Sequence, residues 1–176
     1  VAGDFRKMGG QPRSYAAALD VRSGSLLQWN PRPDLTARCL AMAANRVYVG
    51  GEFDSIWEWQ PRRGLAALDA STGVVTAWNP VLDGPVNALA VNENTVYVGG
   101  SFTFVNGQSR YCLAALDVTS GAVNDWDARA GGPIFSLLLR DSTLYVAGWF
   151  SEAGGQPREN LAAVDRTTGT ATSWNP

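Results

Sequence analysis

Residues 65–80 read LAALDASTGVVTAWNP, and the phrase returns as AAALDVRSGSLLQWNP at 16–31, LAALDVTSGAVNDWDA at 113–128 and LAAVDRTTGTATSWNP at 161–176. Asp20, Asp69, Asp117 and Asp165 recur at spacings of 49, 48 and 48, and Trp29, Trp78, Trp126 and Trp174 keep the same spacings. A second phrase runs in step: VAGDF at 1–5, VGGEF at 49–53, VGGSF at 98–102 and VAGWF at 146–150. Self-similarity at this period marks a repeat architecture, in which each unit completes its core only against its neighbours.

One unit, 81–128, divides into four short apolar segments separated by turn residues: PVNALAV (85–91), TVYVGGSF (95–102), CLAALDV (112–118) and AVNDWDA (122–128). Short β-branched and aromatic runs between turn signals predict antiparallel strands, and no segment holds the apolar spacing of a helix. The Asp-x-x-(Ser/Thr)-Gly element predicts a hairpin turn. The Asp side chain accepts from backbone N–H groups ahead of it, and Gly supplies the positive φ. The paired Gly of VGG predicts backbone crowding or a bulge. A repeated four-stranded antiparallel unit predicts an all-β chain, a β-propeller whose blades are four-stranded. The recurrent Trp is the expected wedge between blades, because it buries a large area.

The expected organisation is a single propeller domain over 1–176. Its blades run over 1–31, 32–80, 81–128 and 129–176, and the first lacks its inner strand. The strand tally is therefore fifteen, with nothing left over to complete the first blade. Three solutions are open: a fragment of a larger propeller, a strand preceding Val1, or two chains forming an eight-bladed ring. Val1 opens the chain inside a strand-like phrase, with no Met and no signal peptide, which reads as a trimmed chain.

Composition narrows the function classes. The net charge of −2 gives no reason to expect a nucleic acid or an acidic membrane as partner, and no apolar run is long enough for a membrane helix. With no His in the chain, histidine-based catalysis and His-ligated metals are excluded. Cys39 and Cys112 occupy non-equivalent repeat positions and read as free thiols. The Cys112 slot holds Tyr15, Gly64 and Asn160 in the sister repeats, as if any side chain were tolerated there.

The unit VYVGGxF, a loop with Gly-Gln-x-Arg, LAALDxxTG and WNP resembles the bacterial delta-60 type propeller repeats. The resemblance covers essentially the whole chain and implies a secreted or cell-surface scaffold, often one module of a larger protein. The pattern Ala-x-Asp-x-x-Thr-Gly-x-x-x-Trp also resembles the tryptophan-docking motif of quinoprotein propellers, which are eight-bladed and hold pyrroloquinoline quinone with calcium. Ala67, Asp69, Thr72, Gly73 and Trp78 match it, with four residues rather than three before the Trp. That resemblance implies a docking role for Trp29, Trp78, Trp126 and Trp174. It does not carry over the activity, which needs a vicinal Cys pair or a catalytic Asp beside bound calcium.

Candidate sites lie where the copies differ. The second loop, DSIWEWQPRRG at 54–64, carries Trp57 and Trp59 around Glu58, read as alternating aromatics on one strand face that stack on sugars or anchor a partner. Trp149 replaces Glu52 and Ser101 of the sister repeats, and Phe135 stands where Arg38 and Asn87 stand. These positions are expected at the mouth of an axial channel. Arg13, Arg62, Arg110 and Arg158 recur seven residues before each turn Asp and are expected to tie structure, to that Asp or to a carbonyl of the next blade. No catalytic residue and no metal motif is assigned. No cofactor is expected, with calcium left possible through loop carboxylates.

The leading expectation is a non-catalytic extracellular module that binds a glycan or a surface protein, or assembles with its own copies or the rest of a longer chain. One alternative is a quinoprotein-like oxidoreductase made of two such halves. The other is a purely architectural segment of a surface filament or layer.

Overall fold

The LAALD run at the head of each complete phrase forms one strand of a three-stranded antiparallel sheet. A computed structural model describes all residues, Val1–Pro176, and contains strands and turns but no helix. The first sheet joins Ala37–Ala43, Arg46–Gly51 and Leu65–Asp69, and the second joins Val86–Val91, Thr95–Gly100 and Leu113–Asp117. The third joins Ile134–Arg140, Thr143–Gly148 and Leu161–Asp165. In each, the VYVGG-type strand lies in the middle. The first strands of successive sheets lie against each other.

The expected fourth strand shrinks to one bridge per repeat: Leu68 with Val75, Leu116 with Val123, and Val164 with Ala171. Asp69 N–H donates to Val74 O at 2.9 Å and Thr76 N–H to Ala67 O at 2.8 Å, after which the ladder stops. The cause is the Trp three residues beyond the bridge, which leaves the sheet for the neighbouring repeat. Residues 1–31 hold only the bridges Ala2–Ala16 and Leu19–Leu26 and a small hairpin of Lys7–Met8 with Gln11–Pro12, so this repeat has no inner strand. The segment after each VGGxF phrase, expected as a plain loop, is itself a short hairpin in every repeat, closed by two residues in three of them and by three in the second. Its signal was the dipeptide at the tip: Asn106-Gly107 takes φ of 50° and 77°, as a two-residue hairpin turn requires.

The hydrophobic core lies between repeats rather than within them. Tyr15, Ala16 and Trp29 of the first repeat cluster with Val49, Phe53, Ala66 and Leu68 of the second. Tyr48, Leu65 and Trp78 of the second cluster with Val96, Val98 and Leu116 of the third. Tyr97, Leu113 and Trp126 of the third cluster with Leu144, Val146 and Val164 of the fourth. Alternation along LAALD explains this, since Ala66 and Leu68 face backward while Leu65 and Ala67 face forward.

Close approach explains the paired Gly. A Cβ on Gly50 would lie 2.5 Å from Val86 Cγ1 of the next repeat, and one on Gly99 would lie 2.6 Å from Ile134 Cγ2. The first repeat holds Ala2 at this position, packed against the cluster that contains the small Ala37.

Candidate functional site

Three of the irregular residues share one structural cause. The inner strands each carry a register shift, between Ala37 and Cys39, between Val86 and Ala88, and between Ile134 and Ser136. The bulged residues are Arg38, Asn87 and Phe135. A bulge takes one residue out of the ladder and re-aims its side chain. The Gly pair opposite makes room for it: a Cβ on Gly51, Gly100 or Gly148 would sit 2.2 Å from a carbonyl oxygen of the inner strand's lead-in.

The three bulges form a row across the repeats. Arg38 donates from Nη2 to the Glu52 carboxylate and from Nη1 to Asn87 Oδ1 at 2.6 Å. Asn87 Nδ2 then donates to Ile134 O at 2.9 Å, beside Phe135. The Arg38–Glu52 pair is solvated, with side chains 38% and 43% exposed, so it orients more than it stabilises. In the fourth repeat the corresponding positions hold Phe135 and Trp149, which are 54% and 77% exposed. The row thus runs from a charged pair through an amide to two open aromatic rings.

The Trp57–Glu58–Trp59 segment is not a strand face. Its φ angles are 41°, 54° and 65°, three successive left-handed residues that close the hairpin between Ser55–Ile56 and Gln60–Pro61. The extra residue of this loop forces that turn, which splits the two rings. Trp57 packs against the first junction cluster, while Trp59 is 80% exposed. Trp59 and Glu58 border a cleft of about 430 Å³ with Arg6, Arg32 and Asp34. No residue of the bulge row lines it. A concavity of about 760 Å³ lies at the far end of the inner strands, lined by Met42, Asn45, Arg46, Glu93 and Val118 among others.

The recurrent residues are structural. Each turn Asp accepts from backbone N–H groups two and three residues ahead, as Asp69 does from Ser71 at 3.0 Å and Thr72 at 2.8 Å. These bonds hold all four carboxyls below their ordinary range. Arg13, Arg62, Arg110 and Arg158 donate to Leu27 O, Thr76 O, Asn124 O and Thr172 O at 2.7 to 3.0 Å. The tie is to a carbonyl of the same repeat, neither to the turn Asp nor to the next blade, and it braces the base of the hairpin against the shortened outer segment. The Cys112 slot is not indifferent either. Tyr15, Gly64, Cys112 and Asn160 share φ of 62°, 70°, 58° and 63°, so the position selects a left-handed backbone whatever its side chain.

Burial pushes the Cys39 thiol up to about 12 and raises that of Cys112, and neither is disulfide-bonded. No three His, Cys, Asp or Glu side chains converge on a common point.

Antiparallel sheets stacked through a Trp that docks on the next repeat define a propeller-like repeat scaffold. Solved structures agree. The computationally designed Ika4 protein is similar at 16% identity and a TM-score of 0.55, over 84% of this chain and 76% of its own. The computationally designed Ika8 protein matches at 16% identity and a TM-score of 0.52, over 87% of this chain and 40% of its own. BamB from Moraxella catarrhalis, a β-propeller, matches at 22% identity and a TM-score of 0.51, over 88% and 44%. The chain thus spans less than half the length of the last two. No family model and no curated protein matches the sequence.

Proposed function

We propose that the chain is a non-catalytic binding module of an extracellular protein and that it takes a glycan at the bulge row. The observation that carries the reading is the pair of open rings, Phe135 and Trp149, set beside hydrogen-bonding groups held in place by one another. Exposed aromatic faces accept the apolar face of a sugar ring. Arg38, Asn87 and Glu52 offer fixed donors and acceptors to its hydroxyls, a combination suited to orienting a polar ligand. The extracellular setting rests on the resemblance to delta-60 type repeats.

Titration of the chain with a panel of neutral and acidic oligosaccharides, followed by tryptophan fluorescence and calorimetry, tests this. Trp149→Ala is expected to weaken binding at least about tenfold, the loss typical of a central aromatic contact, while Trp59→Ala leaves it unchanged. Equal binding by the wild-type and Trp149→Ala chains, or no binding by either, rejects the site.

A further inference from the structure

The three junctions between successive repeats share one geometry. Trp29, Trp78 and Trp126 each donate their indole N–H to the carbonyl of the next repeat's turn Asp, at 3.3 Å to Asp69 O, 3.0 Å to Asp117 O and 3.1 Å to Asp165 O. Tyr48 and Tyr97 stand edge-on to Trp78 and Trp126, and their hydroxyls donate to the carbonyl one residue further, Val118 O at 3.1 Å and Arg166 O at 3.0 Å. The three docked Trp residues are 6%, 3% and 8% exposed.

The fourth repeat carries the same donor face without a cover. Tyr145 stands edge-on to Trp174 at 5.4 Å, as its sisters do. Neither its hydroxyl nor the Trp174 indole donates to any group of the chain. Trp174 is 41% exposed, and Leu161 is 36% exposed where Leu65 and Leu113 are fully buried. Leu138 is 62% exposed at the position where Ala90 is 8% exposed.

The first repeat carries the matching acceptor face, equally open. Its Asp20 turn has the same construction, with Ser23 N–H donating to Asp20 Oδ1 at 2.8 Å. In the covered repeats the turn Gly lies against the preceding Trp or, at Gly169, against the Asp127–Ala128 backbone just after it. A Cβ on Gly73 would be 3.1 Å from Trp29 Cδ1, and one on Gly121 would be 3.2 Å from Trp78 Nε1. Gly24 has nothing within 4 Å. Val21 is 98% exposed, whereas its counterparts Ala70 and Val118 pack into junction clusters.

We propose that the fourth repeat of one copy docks on the first repeat of a second copy of this chain. Trp174 Nε1 donates to the Asp20 carbonyl there, Tyr145 OH donates to the Val21 carbonyl, and the Val21 side chain enters the apolar junction. The three internal junctions are the template, and the occupant is identified by the acceptor face that the same sequence builds and leaves bare. The contact is head-to-tail, and two copies facing each other across a two-fold satisfy both open faces of each. It is separate from the glycan site and stands or falls without it.

Sedimentation velocity and native mass spectrometry from low to high micromolar chain test it. A species of twice the 18.8 kDa chain mass is expected. Trp174→Ala and Val21→Asp are each expected to weaken association at least about tenfold. Val21 is free in solvent, so its variant keeps the wild-type circular dichroism, and the wild-type melting curve at concentrations where the chain is a monomer, which separates docking from folding. A single-chain mass at every concentration overturns the proposal. So does an oligomer indifferent to both variants.

Discussion

Asp69 illustrates the residue scale. Its carboxylate accepts two backbone N–H groups and the hydroxyls of Ser71 and Thr72, which holds its pKa at about 2. Asp20, Asp117 and Asp165 are lowered by the same kind of bond. A carboxyl whose folded pKa lies below the unfolded value of about 4 contributes stability above that pH, and loses it as pH falls through the folded value. The melting temperature is therefore expected to drop between about pH 4 and pH 2, and Asp69→Asn, which keeps one acceptor oxygen but no titration, to show a shallower fall in thermal scans. The two thiols make a second residue-scale prediction. Burial disfavours the thiolate at Cys39 and Cys112, so a thiol reagent at neutral pH is expected to modify neither until denaturant unfolds the chain.

At the scale of the element, the VGG phrase and the bulge form one device. One Gly leaves room for the inner strand's lead-in, and the other for the neighbouring repeat's Val86 or Ile134. Gly99→Ala is expected to destabilise by about 1–3 kcal/mol, the usual cost of overpacking a close contact. Ile134→Ala, though destabilising itself, should absorb part of that cost. Urea unfolding of both single variants and the double variant measures the coupling, and strict additivity would remove the contact from the account. Much of this was legible beforehand. The Asp-turn, the Gly pair and the odd residues at 38, 87, 135 and 149 all stood out by comparing copies. The Gly pair announced crowding or a bulge, but not that the bulge would fall on the strand facing it, because its place depends on register with a partner strand. The Trp57–Trp59 loop misled for a related reason: alternation there continued a strand pattern, and three left-handed residues broke it.

For the whole molecule, the decisive fact is that every apolar cluster belongs to two repeats. Stability then resides in junctions, and the same residue type has a different weight according to whether its junction is filled. Trp126→Ala, at 8% exposure, is expected to cost about 3–5 kcal/mol in urea unfolding, the range for a buried aromatic. Trp174→Ala, at 41% exposure, should cost much less at concentrations where the chain is a monomer. Equal losses would mean that the fourth repeat is held by contacts other than its Trp.

The sequence by itself determined the repeat, its period, the three sheet strands of each complete repeat and the Asp turn that follows them, because those are set by local pattern and by agreement among four copies. Tertiary structure decided the rest. It showed that the Trp bonds to the next repeat's turn while the Arg bonds within its own. It aimed Arg38, Asn87 and Phe135 out of their ladders, and it left Trp174 and Val21 in solvent. Such outcomes depend on which surfaces meet across a junction. Four near-identical phrases cannot record that in their letters.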